Sequence, residues 1–255
     1  MKIIFFDIDG TLYKAEEKAV RREVIEALKN MRGKGVKLVV STGRSYIYIP
    51  ECIKDLELDG YICSNGSFIK MKDEILEERY LDRESIKRLI TYLDENHFQY
   101  DLQTRDKVYS KNTNTKLKTY QEYSEVPDAA IIQEYDLNEI QNKIHKMNIW
   151  VDLDNIDELL KVTASFEKEI HLKTNHIELF VSGCTKGTGV RAVLEQTGIS
   201  KEEAAAFGDS MNDASMFHEV GMSIAMGNAD PRLKEMASNI TDTVENCGVA
   251  KFLKK

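Results

Sequence analysis

The chain has 255 residues and a formal net charge of -8, with no run rich in Lys and Arg to offset it locally. Nucleic acid is therefore not expected as a partner, because the averaged field of the protein repels polyanions. Hydrophobic residues make up 42% and charged residues 31% of the sequence, a composition that excludes a disordered or fibrous protein and predicts two globular domains.

The N-terminal part of the chain alternates between strand and helix patterns, as a parallel sheet requires. Ile3 to Phe6 form an unbroken apolar run, which is typical of a strand buried on both faces. Apolar residues at helical spacing then predict a helix that ends at two glycines, carried by Val20, Val24, Ala27, Leu28, Met31, Gly33 and Gly35. The next predicted elements are a buried strand over 36–42, a helical segment over 47–56 and a strand over 61–64.

The middle of the chain, from about 82 to 182, carries shorter and more polar elements. The predicted elements are a helix around Ile86, Leu89, Ile90 and Leu93, a hairpin turning at Arg105-Asp106, a strand over Ala129 to Gln133, a helix through Ile140, Ile144 and Met147, a strand over Ile149 to Leu153, a helix near Leu159, and paired strands over 171–181. This pattern indicates an inserted α+β domain.

Alternating strands and helices return near the C-terminal end. The predicted elements are a helix marked by Val190, Val193 and Leu194, strands over Ala204 to Phe207 and Gly221 to Met226, and a helix starting at Asp230-Pro231. The fold class that follows is α/β, with a central parallel sheet flanked by helices. Residues 1–81 and 183–255 are expected to form this core, and residues 82–182 the inserted α+β domain.

The cysteines and the N-terminus predict a cytoplasmic location. Four cysteines lie far apart with no paired spacing, at Cys52, Cys63, Cys184 and Cys247. This spacing argues against a zinc site and a disulfide framework and suits a reducing compartment. The N-terminal apolar run is ended by Asp7, too early for a signal peptide. No stretch approaches the length of a membrane span, so no membrane partner is expected.

Two carboxylates follow the first predicted strand directly, in the stretch from Asp7 to Leu12. Side chains two apart in an extended segment point the same way, so Asp7 and Asp9 can converge on one small volume, and Gly10 lets the chain turn sharply. Crowded carboxylates repel each other unless a cation lies between them or one is protonated. An ordinary Asp-Gly turn is the simpler alternative, and it is at least as common for this stretch alone.

Three further stretches lie at predicted strand ends or helix starts. Ser41 to Arg44 offer a hydroxyl and a glycine-freed backbone that can hold phosphate oxygens, although a plain strand-to-helix turn is an equally common explanation for this stretch alone. Lys186 precedes a predicted helix and is a compact cation suited to a phosphoryl group, although a surface lysine is the commoner explanation. Asp209 and Asp213 flank a strand-to-helix turn and suit a hard cation, while helix capping by Ser210 or Asn212 is the alternative. Together the four stretches favour phosphoryl transfer.

These stretches, in this order and with a long insertion between the second and third, resemble the haloacid dehalogenase superfamily and within it the Cof-type phosphatases. Additional matching stretches are 64–66, 221–229 and 246–250. Cys247 departs from the pattern, since relatives usually carry an acidic residue at this position. The resemblance covers both core segments and implies a Rossmann-like core, whereas the insert resembles the family's larger cap domain only in placement and size.

The resemblance implies a role for each matching residue. Asp7 would be the nucleophile that forms an aspartyl-phosphate, and Asp9 the acid and base. The expected holders of the phosphoryl oxygens are Thr42, Lys186, Asn212 and the amides near Ile8, Asp9 and Gly43. The expected ligands of Mg²⁺ are Asp7, the backbone carbonyl of Asp9, and Asp209, with Asp213 in close support. The expected partner is a small phosphorylated metabolite such as a sugar, nucleotide or cofactor phosphate, and the chain is expected to be a monomer or weak homodimer.

Two other readings are compatible with the same residues. A phosphomutase would use the same aspartyl-phosphate but return the phosphoryl group to sugar. A silent phosphate-binding protein would keep the fold without turnover, although the intact Asp9 argues against it. Substrate choice should lie in the insert, where Tyr109, Lys111, Trp150 and His176 are candidates for substrate contacts. Packing or surface exposure is the commoner explanation for each of these four residues.

Overall fold

The computed structural model describes residues 1–14, 16–111, 114–118, 126–151, 156–172 and 174–254. The chain divides into two compact units. The first consists of Met1–Arg44, Ile49–Glu77 and Thr185–Lys255, and the second of Ser45–Tyr48 and Glu78–Cys184. That the second unit acts as a cap, with the boundaries 82–182, remains a prediction.

The strands of the two units are numbered here in chain order. They are β1 Ile3–Phe6, β2 Lys37–Ser41, β3 Gly60–Cys63, β4 Phe68–Met71, β5 Glu74–Glu78, β6 Gln99–Gln103, β7 Val108–Tyr109, β8 Ile131–Ile132, β9 Lys146–Trp150, β10 Glu167–His171, β11 His176–Phe180, β12 Ala204–Gly208, β13 Met222–Ala225 and β14 Asn239–Ile240. The helices are α1 Arg22–Gly33, α2 Glu51–Lys54, α3 Arg83–Glu95, α4 Leu137–Ile140, α5 Ile156–Val162, α6 Lys186–Thr197, α7 Ala214–Phe217, α8 Pro231–Met236 and α9 Gly248–Leu253.

The sheet of the first unit has the strand order β14-β13-β12-β1-β2-β3-β4-β5. Every pairing from β14 to β3 is parallel, and β4 runs antiparallel to β3. All four residues of β1 are fully buried, and Phe5 is in register with Ala206 on one side and Val39 on the other. This double-sided burial explains the unbroken apolar run. The predicted α/β core with a central parallel sheet is confirmed.

The sheet of the second unit has the strand order β10-β11-β9-β6-β7-β8 and is antiparallel except between β7 and β8. One face packs against α3 in an apolar cluster that includes Leu102, Met147, Ile149, Ile177 and Leu179. The strand positions between these residues carry buried polar side chains, namely Asp101, Gln103, Lys146, Asn148 and Glu178. The alternation follows from the two-residue period of a strand.

Three predicted elements of the middle region differ from the structure. The helix predicted through Met147 ends at Ile140, because the segment Lys146–Trp150 pairs with β6 and β11 as strand β9. That strand therefore begins before the predicted start at Ile149, and the predicted end, Leu153, lies outside the described residues. The strand predicted over Ala129 to Gln133 is only Ile131–Ile132, preceded by a 3-10 turn.

The helical segment predicted over 47–56 is also different. It is a 3-10 turn at Tyr46–Tyr48 followed by the short α2, and Pro50 lies between them. Proline has no backbone N–H and disfavours helical conformation in the residue before it, so the break is expected where it occurs. Across the described ranges, the structure contains no helix with the length and apolarity needed to cross a membrane.

Candidate active site

The candidate site lies where adjacent parallel strands of the first unit end. Asp7 follows β1, Thr42 follows β2 and Asp209 follows β12, and β1 lies between the other two strands. The carboxyl ends of neighbouring parallel strands meet at one edge of a sheet, which is where open α/β sheets bind ligands. The topology therefore delivers residues that are about two hundred positions apart in sequence to one place.

A tight turn after β1 positions the first acidic pair. The carbonyl of Ile8 accepts hydrogen bonds from the backbone N–H groups of Thr11, Leu12 and Tyr13, at 3.2, 3.0 and 2.9 Å. Gly10 adopts φ +79°, and a Cβ there would lie 2.4 Å from Asp209 Oδ2. The glycine is therefore required both by the backbone conformation and by the close approach of Asp209.

Lys186 lies between two carboxylates. Its side chain is 1% exposed, and Nζ donates to Asp7 Oδ1 and to Asp213 Oδ1, both at 2.6 Å. Burial alone would lower the pKa of the lysine, but the negative charges of Asp213 and Asp7 more than offset it and raise the pKa above its ordinary value. Lys186 is therefore a permanent cation that touches the predicted nucleophile.

The start of helix α6 fixes the position of this lysine. The Thr185 side chain accepts from the N–H of Thr188 at 3.1 Å, and Thr188 Oγ1 accepts from the N–H of Thr185 at 2.9 Å. This reciprocal capping box satisfies two backbone donors and sets the direction in which the helix begins. A Cβ at Gly187 would lie 2.4 Å from the carbonyl oxygen of Ser215, so only glycine permits α6 to pack this closely against α7.

Asp213 organises the turn that carries Asp209. Its Oδ2 accepts from the N–H groups of Asp209 and Ser210, both at 2.9 Å, while its Oδ1 accepts from Lys186. Asp213 is fully buried, and a Cβ at Gly208 would lie 2.5 Å from its Cγ. One oxygen of Asp213 accepts from the lysine and the other from two amides. Asp213 therefore links Lys186 to the turn that carries Asp209.

Three carboxylates form an acidic cluster that fits a divalent cation. One carboxylate oxygen from each of Asp7, Asp209 and Asp213 lies within 4.8 Å of the others. Burial raises the pKa of Asp7 well above its ordinary value, with Lys186 opposing and the neighbouring carboxylates adding to the rise. Burial and the charge of Asp213 raise the pKa of Asp209 to about 6. A hard, oxygen-seeking cation would relieve this repulsion.

Asp9 lies outside this cluster and pairs with Arg44. The guanidinium donates from Nε to Asp9 Oδ2 and from Nη2 to Asp9 Oδ1, both at 2.7 Å. Arg44 is 13% exposed and Asp9 47% exposed, so the acid presents one face to solvent. The sequence pattern predicts no role for the Arg44 side chain. The available signal was its position directly after the turn at Thr42 and Gly43, where a side chain near the site is expected.

Two of the predicted phosphate-binding residues, Thr42 and Asn212, lie next to Gly43. Thr42 is 1% exposed, and its Oγ1 accepts from the backbone N–H of Arg44 at 3.1 Å. A Cβ at Gly43 would lie 3.3 Å from Asn65 Oδ1 and 3.8 Å from Asn212 Nδ2, so both asparagines close over this glycine. Asn65 belongs to one of the matching stretches without a predicted role of its own, and its backbone is left-handed, with φ 52°.

The four insert residues named as substrate candidates have contacts within the second unit. Lys111 pairs with Asp94 at 2.6 Å, and Tyr109 packs edge-on against Tyr135. Trp150 is buried in a small apolar cluster. His176 is also buried, beside His171. Whether any of them contacts substrate remains a prediction.

Similarity to known proteins agrees with this arrangement. The model of a protein family described as haloacid dehalogenase-like hydrolase matches residues 4–253. A 5-amino-6-(5-phospho-D-ribitylamino)uracil phosphatase of Bacillus subtilis, YcsE, is 29% identical over 260 residues, covering 100% of this chain and 95% of the relative.

Solved structures of haloacid dehalogenase-type proteins are also similar to this chain. A haloacid dehalogenase-like hydrolase from Bacteroides thetaiotaomicron superposes with a TM-score of 0.88 at 26% identity, over 99% of this chain and 98% of the other. A protein described as the subclass IIB sugar phosphatase BT4131 superposes with a TM-score of 0.84 at 25% identity, over 100% of this chain and 98% of the other.

Proposed function

The chain belongs to the haloacid dehalogenase-like hydrolase family and is a phosphatase, and from this premise we propose that it hydrolyses small phosphorylated metabolites through an aspartyl-phosphate on Asp7. The observation that carries the proposal is the contact of Lys186 with both Asp7 and Asp213 at 2.6 Å, beside Asp209. A nucleophile, a fixed cation and an acidic cluster in one small volume are what phosphoryl transfer requires, because positioning and charge neutralisation dominate that reaction.

The proposed reaction has two steps. A carboxylate oxygen of Asp7 attacks phosphorus, the bond between phosphorus and the leaving oxygen breaks, and Asp9 gives that oxygen a proton. Asp9 then takes a proton from water, whose oxygen attacks the aspartyl-phosphate, releasing inorganic phosphate and restoring the Asp7 carboxylate. Lys186 holds the phosphoryl oxygens throughout, together with Thr42, Asn212 and the backbone amides near Ile8 and Gly43.

The acidic cluster is the proposed magnesium site. Asp7 and Asp209 would hold the ion with the backbone carbonyl of Asp9, and Asp213 would support them through its hydrogen bonds to the Asp209 turn. Magnesium suits the site because the side-chain donors are carboxylate oxygens. When bound, the ion neutralises charge on the phosphoryl oxygens and on the crowded carboxylates.

The proposed substrates carry phosphate on a small alcohol. One relative is named for a phosphorylated ribityl compound, and one structural neighbour is described as a sugar phosphatase. We extend this chemistry to the present chain as phosphorylated sugars, sugar alcohols, nucleotides and related cofactors. The four cysteines are free thiols, which supports a reducing compartment such as the cytoplasm.

Phosphate release tests this proposal. A panel of sugar, nucleotide and cofactor phosphates is assayed with and without Mg²⁺, for the wild type, Asp7→Asn and the control Asp55→Asn, which changes an exposed carboxylate of the same unit. We expect magnesium-dependent release without a bisphosphate activator, and a loss of at least about 10³-fold in Asp7→Asn only. Wild-type activity in Asp7→Asn would overturn the mechanism, and a need for a bisphosphate activator would favour a phosphomutase.

A further inference from the structure

A hairpin of the second unit brings two histidines face to face. His171 is the last residue of β10, His176 is the first of β11, and the two are register partners across the antiparallel pair. Their imidazole rings stack with centroids 4.5 Å apart and planes inclined by 13°. Glu178 lies two positions further along β11, so its side chain leaves the same face of the strand as His176.

The donor atoms of these residues are spaced as metal ligands rather than as hydrogen-bond partners. His171 Nε2 lies 3.5 Å from Glu178 Oε2, and His176 Nε2 lies 3.5 Å from Glu178 Oε1. Hydrogen bonds between nitrogen and oxygen are usually about 2.7–3.2 Å long. Two ligands held at about 2.0–2.1 Å by a tetrahedral ion are roughly 3.3–3.4 Å apart. One donor atom from each of His171, His176 and Glu178 lies within 4.8 Å of the others, so side-chain rotation can bring the three donors around one ion.

Burial adds a second reason to expect a ligand. His176 and Glu178 are almost fully buried, and His171 Nε2 is shielded from water without a hydrogen bond to any described residue. Burial alone would raise the pKa of Glu178, but the charge of Lys146 and contacts with the two histidines hold it well below its ordinary value. The site therefore presents an ionised carboxylate beside a buried imidazole nitrogen whose 3.5 Å contact with it is too long for a good hydrogen bond, a cost that a bound cation would offset.

We propose that His171, His176 and Glu178 form a binding site for a divalent transition metal, with zinc as the best-fitting ion. Imidazole together with carboxylate suits zinc and its neighbours, whereas magnesium and calcium prefer oxygen ligands alone. Three protein donors leave one position of a tetrahedral ion for water or an anionic ligand. The spacing of the cysteines has no bearing on this site, because its donors are nitrogen and oxygen.

Lys146 is expected to limit the affinity of this site for a metal ion. Its Nζ lies 2.7 Å from Glu178 Oε1 and 5.0 Å from the centre of the Phe180 ring. The ammonium occupies one carboxylate oxygen and leaves Oε2, the oxygen nearer His171, for the metal. Its positive charge opposes a second cation, so replacing it with the apolar Met should tighten metal binding.

Cobalt(II) is the probe for the test, because imidazole-ligated tetrahedral cobalt absorbs visible light strongly, unlike cobalt held by an octahedral set of oxygens. The titrations use Asp209→Asn as the parent protein, since that change weakens the acidic cluster of the first unit as a competing site. We expect one Co²⁺ per chain with the tetrahedral spectrum, displaced by Zn²⁺. In the parent carrying Lys146→Met, binding should tighten several-fold.

Matched variants decide the outcome. His171→Asn and Glu178→Gln should weaken binding by about 100-fold, while His97→Asn, which changes an exposed histidine, should leave it unchanged. Asn tolerates the left-handed backbone at position 97, where φ is 59°. Circular dichroism checks that each variant is folded. Absence of the tetrahedral spectrum in the folded parent, or its persistence in both ligand variants, would overturn the proposal. Neither result bears on phosphatase activity.

Discussion

Arg44 donates two hydrogen bonds of 2.7 Å to the carboxylate of Asp9, one from Nε and one from Nη2. This fork-to-carboxylate geometry fixes the plane of the carboxylate as well as its position. The guanidinium is itself held over the ring of Tyr13, with its central carbon 5.6 Å from the ring centre. Arg44 therefore positions the carboxylate that is proposed as the acid and base, and one of the two hydrogen bonds must open when Asp9 carries the proton.

Arg44→Lys should lower turnover by roughly 10- to 100-fold, because lysine keeps the charge but loses the planar fork. The loss should be larger with a sugar phosphate than with p-nitrophenyl phosphate, whose leaving group needs little help from an acid. The measurement is kcat and KM for both substrates. Arg191→Lys is the matched control, since Arg191 forms a similar fork with Glu219 on the surface. Equal losses for both substrates would contradict the role given to Arg44.

Gly10→Ala should reduce activity and magnesium affinity together. The new Cβ would lie 2.4 Å from Asp209 Oδ2 and push that carboxylate out of the cluster. Gly35→Ala is the control, because Gly35 has φ +81°, against +79° for Gly10, and no atom of the described residues lies within 4 Å of the added Cβ. Both variants should lose about 1 kcal/mol of stability from backbone strain, but only Gly10→Ala should lose activity. Equal activities of Gly10→Ala and Gly35→Ala would show that the close approach of Gly10 to Asp209 does not matter for catalysis.

Lys186→Met should lower the free energy of unfolding by about 3–5 kcal/mol, because it leaves two buried carboxylates without their cation. Adding Asp213→Asn removes one of those charges, so the double variant should recover at least about 1 kcal/mol relative to the sum of the single changes. Urea unfolding measures all four corners of the cycle. Lys251→Met, which breaks an exposed pair with Asp242, should destabilise the protein far less than Lys186→Met does. Simple additivity in the cycle would argue against a buried charge network.

Without metal, the wild type should become more stable as the pH falls from 7 to 5. The folded-state pKa of Asp209 is about 6, above its unfolded value of about 3.9. The folded state therefore keeps a proton that the unfolded state releases, and stability falls as the pH rises. Chemical unfolding in EDTA measures the slope. Asp209→Asn should show a flatter slope, and saturating Mg²⁺ should reverse the wild-type trend, because the ion binds the ionised carboxylates. Identical slopes in wild type and Asp209→Asn would contradict this.

The core could be predicted from sequence because its signals are strong and local. The apolar run Ile3 to Phe6 is typical of a strand that is buried on both faces of a sheet. The acids and the lysine follow such runs or begin a helix, and parallel strands bring their ends together. The closeness of Asp7, Lys186 and Asp213 follows from that topology. Their catalytic roles stay predictions.

The second unit was less predictable because its sheet buries polar side chains. Strand β9 carries Lys146 and Asn148 on one face and Met147 and Ile149 on the other, and every residue is buried. With Ile140 and Ile144 before it, the apolar spacing matched a helix equally well, and only pairing with β6 and β11 decides the outcome. The pairing of Arg44 with Asp9 was missed for a similar reason, since it depends on side-chain conformations.

The position of β1 between β12 and β2 has a consequence for synthesis. On the ribosome, the partner strand Ala204–Gly208 is made about two hundred residues after Ile3–Phe6. Until then an entirely apolar strand has one unpaired edge, which is a site for aggregation. The yield of the protein should therefore depend on chaperones that shield this strand during synthesis.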